Sequence, residues 1–427
     1  MRNFVQEKSS KYLKMKLINK NQSEFKPLTG MTMNFKKKIM RFNSIAALII
    51  AITFVSCSSD DNGDGGSNTP PTASELVGSI TENKTLDPSI TYTITGPIIV
   101  EDGASLTIPA GTRIEARKGF NSYILVLQGG KIFANGTAEA PVVMTADIDN
   151  AERGHWGGLI INGYAPLAGG TIGSTEISSA FEYGGSNPND NSGVLTYLVL
   201  DYTGARSSAD VEHNGLTLNG VGNGTKIENI YISNAADDGI EFFGGTVNVT
   251  NLLVVNSDDD MFDFTQGYTG TLENAYGIWE QGFTSTESDP RGIEADGNLD
   301  GNFPSQTGQS DFVIKNITFD LRLSRANDND PTNVTNKMQD VIKIRRGAKA
   351  HITNALVKGT GTTIDLIDFT DGKGTGDPGS FVSLTNQLTN DPIGKTINPE
   401  EGFPGAVIEA GNTGCPTSIF AWTNYNF

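Results

Sequence analysis

The sequence predicts an all-β chain wound into a right-handed parallel β-helix, a solenoid with capped ends and inserted loops. Three observations carry this. First, one apolar pattern with a central Asn recurs: Ile227-Glu228-Asn229-Ile230-Tyr231-Ile232, Val249-Thr250-Asn251-Leu252-Leu253-Val254, Leu272-Glu273-Asn274-Ala275-Tyr276-Gly277, Ile314-Lys315-Asn316-Ile317-Thr318-Phe319 and Ile352-Thr353-Asn354-Ala355-Leu356-Val357. The Asn positions are 22, 23, 42 and 38 residues apart, and a period near 22 is one coil of such a solenoid. Second, an apolar–charged–apolar half-repeat follows each: Ile240-Glu241-Phe242, Phe262-Asp263-Phe264, Ile293-Glu294-Ala295, Ile342-Lys343-Ile344 and Ile364-Asp365-Leu366. Alternation of period two turns the apolar flanks inward and the charge outward. Third, the chain has 50 Gly and many turn residues, and no amphipathic helix longer than two turns is legible. A sandwich or propeller would instead predict paired hairpins or blades of about 40 residues.

The amino-terminal part reads differently. Residues 1–30 fit no export pattern, so Met31 or Met33 is the expected initiator and Met1 an over-extended start. Lys36-Lys37-Lys38, the apolar run Ile45–Val55 and Ser56-Cys57 follow. A basic cluster, a short apolar core and a small residue before Cys describe a secretory signal, and the run is too short to span a bilayer. The segment 31–56 resembles a bacterial lipoprotein signal peptide, which implies that Cys57 is the lipidated first residue of the mature protein. Residues 57–75 form the tether, and the β-helix domain occupies 76–427. Residues 76–95 are expected to cover the first coil, and Ile419–Tyr425 to plug the last. Loops are expected at 163–194, 281–311, 322–340 and 370–400, where Gly, Asn, Asp, Ser and Pro cluster. The two longer Asn gaps are either a coil plus an inserted loop or two coils with one bend lacking its Asn.

From Cys57 onward the chain holds 20 basic and 47 acidic side chains, a formal net charge of −27. Such a balance repels nucleic acid and suits cations or neutral ligands. The only cysteines are Cys57 and Cys415. With Cys57 lipidated, this excludes a disulfide framework and a Cys-based zinc site.

Further motifs are Arg153-Gly154-His155-Trp156-Gly157-Gly158, Asn214-Gly215-Leu216-Thr217-Leu218-Asn219-Gly220, Asp237-Asp238-Gly239-Ile240-Glu241-Phe242-Phe243-Gly244-Gly245 and Arg291-Gly292-Ile293-Glu294-Ala295-Asp296. With them, residues 76–427 resemble the pectin-lyase-like right-handed parallel β-helix outer-membrane lipoproteins of Bacteroidetes and spirochaetes (the leptospiral outer-membrane lipoprotein type). The resemblance implies an outer-membrane, surface-exposed protein, with a TonB-dependent receptor as a partner for nutrient or metal capture. Ser58-Ser59-Asp60-Asp61 resembles the acidic surface-export signal of Bacteroidetes lipoproteins, although a solvated tether has the same composition.

The chemistry-bearing residues are acidic. Asp237-Asp238 and Asp258-Asp259-Asp260 lie 22 residues apart, so the coil register stacks them, with Asp263 beside them. Glu241, Asp263, Glu294 and Asp365 form an outward column interrupted by Lys343. Oxygen-only clusters suit Ca²⁺, while Asp is also a common solvated turn residue. The expected metal set is Asp237, Asp238, Asp258, Asp259, Asp260 and Asp263, with Glu241, Glu294 and Arg346 as ligand-binding candidates. The main functional expectation is a binding or structural module, with a polysaccharide as one candidate ligand. The alternative is a Ca-dependent polysaccharide lyase or glycoside hydrolase, with Arg291, Arg345, Arg346 or Lys343 as base, or Asp238, Asp259 and Asp260 as acid and base. Arg345-Arg346 also reads as a solvated strand end. Trp156, Trp279, Tyr268 and Tyr276 either stack on sugars or pack in the core.

Overall fold

The computed structural model describes residues 74–208, 211–323 and 337–427. The signal segment 31–56, Cys57 and the tether up to Thr72-Ala73 lie outside the described residues. The described chain forms a 24-stranded sheet whose strands pair in parallel, closed into a three-faced right-handed β-helix. Right-handed connections are the rule for parallel strands of one sheet.

The first face stacks Trp156–Asn162, Leu216–Asn219, Ile240–Phe243, Phe262–Thr265, Arg291–Asp296, Met338–Arg345 and Thr363–Asp368 in that order. The second and third faces are the two arms of longer, bent strands, among them Lys226–Ser233, Asn248–Val255, Thr271–Trp279, Asp311–Leu321 and Lys349–Gly359. Each of these five bends at its recurring Asn, which takes a left-handed conformation with φ between 53° and 60°. Asn tolerates that region better than other non-glycine residues because its short amide bonds locally. Here the amides join one another along the axis. Asn251 donates to Asn229 at 2.9 Å, Asn274 to Asn251 at 2.9 Å, Asn316 to Asn274 at 2.9 Å and Asn354 to Asn316 at 2.8 Å. The ladder settles the two longer Asn gaps. Each is one coil carrying inserted loops, because Asn316 bonds Asn274 directly and Asn354 bonds Asn316.

Inward side chains repeat the register. Phe242, Phe264 and Phe312 stack with centroids 4.9 and 4.4 Å apart, and Phe369 lies 3.8 Å from Phe403 near the far end. Burying each such ring stabilises the fold by about 1.5–3 kcal/mol. Gly193 shows how tightly coils approach. Its φ is 122°, and a Cβ there would sit 1.9 Å from the Ile132 carbonyl oxygen.

Several expectations are corrected. Ser74–Ile80 pairs with Thr91–Val100, so this segment is an opening coil and not a cover. The stretch 370–400 contains Phe381–Leu388, which pairs with Lys349–Gly359, and Ile397–Asn398, which pairs with Thr363–Asp368, and the stretch 281–311 contains Arg291–Asp296, so neither is a single loop. The aromatic carboxy-terminal segment does not plug the last coil. It runs back along the outside of the third face, where Phe420 meets Tyr276, Tyr425 meets Tyr231 and Trp422 meets Tyr197. Its rings find an apolar outer surface at Leu253, Val255, Tyr276 and Ile278, which period-two reading assigns to solvent. Trp156, Trp279, Tyr268 and Tyr276 are all buried, so they serve packing.

Candidate metal centre

The outward column of the first face reads Thr217, Glu241, Asp263, Glu294, Lys343 and Asp368 by strand register. Asp365 is therefore corrected: it pairs with Asp340, one outward position earlier, because an Ile364–Leu366 alignment slips the strand by three residues. The neighbouring column is Asp340 beside Arg291 on one side and Asp365 on the other. These outward side chains are not solvated. Segments 163–184 and 297–310 fold over them, tied by Ala168 N–H to the Gln266 carbonyl, Gly169 N–H to the Thr307 carbonyl and the Tyr183 hydroxyl to Gln266 Oε1.

Four carboxylate groups bring oxygens within 4.8 Å of one another: Asp340 with Asp365 and Asp368 stands apart, and the other three are Asp237 with Asp238 and Asp259, Asp238 with Glu241 and Asp263, and Asp260 with Asp263 and Glu294. Because Asp238 and Asp263 are shared, the three form one continuous cluster. It contains every expected metal residue except Asp258, and adds Glu241 and Glu294. Asp258 faces away. It binds Arg153 at 2.7 Å and accepts from the backbone N–H and hydroxyl of Thr286.

Charge compensation is uneven along the cluster. At the far end, Arg291 pairs with Glu294 and Asp340, Lys343 with Asp368, and Arg345 with Glu294 and Asp296. Arg346 is held by Asp296 at 2.6 Å and Asp371 at 3.0 Å. The expected solvated Arg345-Arg346 strand end is thus corrected to a buried ion-pair network. At the near end, Asp238, Glu241 and Asp263 have no ion pair among the described residues. Burial, and then neighbouring carboxylates, push Asp238 and Glu241 well above the usual carboxylate range, and Asp263 up to about 8. Asp259 rises to about 7 for the same first reason. Unpaired carboxylates held this close must take up protons or a cation.

The donor set fits a hard cation. It is all oxygen, and Oδ1 of Asp259, Asp260 and Asp263 is buried without a hydrogen-bond partner. Orphaned anionic oxygens are costly unless something occupies the space between them. The sequence showed the acidic blocks and the Glu241 column beside them, but not that their oxygens converge in one cluster, which the register of adjacent coils decides.

Above the cluster lies a cavity of about 500 Å³, floored by Glu241, Asp263 and Glu294 and roofed by Glu176 and Tyr183. A second cleft, of about 510 Å³, lies at Arg153 and Arg206. Its guanidinium groups are spent on Asp258, Glu212 and Glu287.

A parallel β-helix with a roofed acidic row on one face is the class of protein these features define. The chain belongs to the family of pectate-lyase-like β-helix domains, whose family model matches residues 78–422. No curated protein and no solved structure matches it.

Proposed function

We propose that the protein is a non-catalytic binding module, anchored at the outer surface of a bacterial outer membrane by acyl chains on Cys57, that holds a divalent cation in its acidic row. The signal-like segment ending at Cys57 supports the anchor, and the family resemblance supports the surface location and a TonB-dependent receptor as partner. The observation that carries the cation is the uncompensated triad Asp238, Glu241 and Asp263, with oxygens within 4.8 Å. Ca²⁺ is the ion of choice, since it accepts six to eight hard oxygen ligands in flexible geometry. Asp237, Asp259 and Asp260 complete the set.

The test is calorimetric titration of the metal-free mature protein with Ca²⁺, beside melting curves in Ca²⁺, in EDTA and in Na⁺ of matched ionic strength. A ligand that binds only the folded state raises the melting temperature, whereas screening acts equally through Na⁺. Binding should be lost in Asp238→Asn and Asp263→Asn. Identical curves without heat would leave the row as protonated carboxyls only.

The lyase alternative is weakened by the arginines. Carboxylates hold Arg346 and raise it above its ordinary value, so it is a poor base. Arg345 is pushed down to about 10 by burial and by Arg291 and Arg346, yet it remains paired with Glu294 and Asp296. Unsaturated products from uronate polymers, lost in Arg345→Ala, would replace the binding reading with catalysis.

A further inference from the structure

The roofed cavity is far larger than one ion needs, and its rim carries apolar side chains among the polar ones. At its mouth stand Ile172, 57% exposed, and Phe303, 45% exposed, with Leu299 further in. Large exposed apolar side chains lining a cavity suggest a ligand with a carbon body. Inside, six carboxylates line the wall against two guanidinium groups. Both guanidinium groups are already bonded to Asp296, so neither is free to receive an anion. Even with a divalent ion on the triad, the lining keeps negative charge in excess. One of the six, Glu176, belongs to the roof and faces Glu241 and Asp263 across the space. On the floor, Asp263 holds a buried Oδ1 without a hydrogen-bond partner.

We infer that this cavity binds an organic cation: a ligand carrying primary ammonium groups on a body of amino-sugar or short aliphatic size. The ammonium sits at Glu176 on the roof, across the space from the cation-holding Glu241 and Asp263, and the body lies beside Ile172 and Phe303. An ammonium offers three donors and matches carboxylates converging from two sides. Aromatic and aliphatic lips add attraction for the body and for the cation itself. A neutral polysaccharide would leave the excess carboxylates without counter-charge, and an anionic one would be repelled.

The inference rests on the binding-module reading and names the ligand class for the same site. Its test separates the two. The Ca²⁺-loaded mature protein is titrated calorimetrically with glucosamine disaccharide, spermidine and the N-acetylated disaccharide as neutral control. The amines should bind, with the acetylated sugar at least tenfold weaker. Glu176→Gln and Phe303→Ser should each weaken amine binding at least tenfold while the Ca²⁺ isotherm stays unchanged, which also shows that both variants fold. Equal binding of the amine and its acetylated form, or no amine binding by protein that still takes up Ca²⁺, would overturn the organic-cation inference alone. Absent Ca²⁺ uptake with amine binding intact would instead support the inference and remove the metal from the proposed function.

Discussion

Asn251 donates its side-chain amide to Asn229 one coil away, at 2.9 Å, and both residues hold a left-handed backbone with φ of 60° and 58°. One residue type thus meets two demands at each corner, the tight turn and the axial bond. Asn251→Leu loses both, and should cost about 2–4 kcal/mol from an unsatisfied amide and strained backbone. Asn251→Gly keeps the turn and should cost less than the Leu variant. Denaturant unfolding of the two variants measures the difference.

His213 predicts an acid-sensitive step. Its ring is buried between Phe120 and Tyr123, with Nε2 3.0 Å from the Phe120 carbonyl oxygen and Nδ1 unpartnered. Burial pushes it down to about 4. The unfolded chain, near 6.5, binds the proton more readily, so this site's contribution is present above pH 6.5 and is lost as pH falls through 4. The full loss is about 3 kcal/mol. Stability measured from pH 7 to 4 should show this slope, and His213→Gln should flatten it.

The carboxy-terminal segment is expected to act as a staple. Tyr425 donates to Glu280 at 2.8 Å, and the Cys415 N–H bonds Thr318 at 2.9 Å. Removing residues 413–427 uncovers Leu253, Val255, Tyr276 and Ile278. The truncated protein should melt at a lower temperature and bind an apolar dye, yet keep its Ca²⁺ isotherm, because the acidic row lies on another face.

Anchoring is tested at Cys57. Cys57→Ala should move the protein from membrane to soluble fractions, since several acyl chains together give stable attachment. Retention of the variant on membranes after a salt wash would contradict lipidation.

The sequence by itself determined the coil, because a stacked solenoid must repeat its corner residue and its inward apolar pair once per turn. Asn229, Asn251, Asn274, Asn316 and Asn354 made the period visible, and Glu241, Asp263 and Glu294 disclosed a charged outer column. Only the tertiary structure decided what covers that column. The roof over Glu241 comes from segments whose own residues carry no period, so nothing local marks where they fold. The same gap explains the other corrections. Asp365 gave way to Asp368 because short apolar runs admit a register slip of three residues. Asp258 left the cluster because Arg153, 105 positions away, claimed it. The aromatic tail chose the third face because Leu253 and Tyr276 form there, with residues from separate coils, an apolar surface that exists only once the coils are stacked.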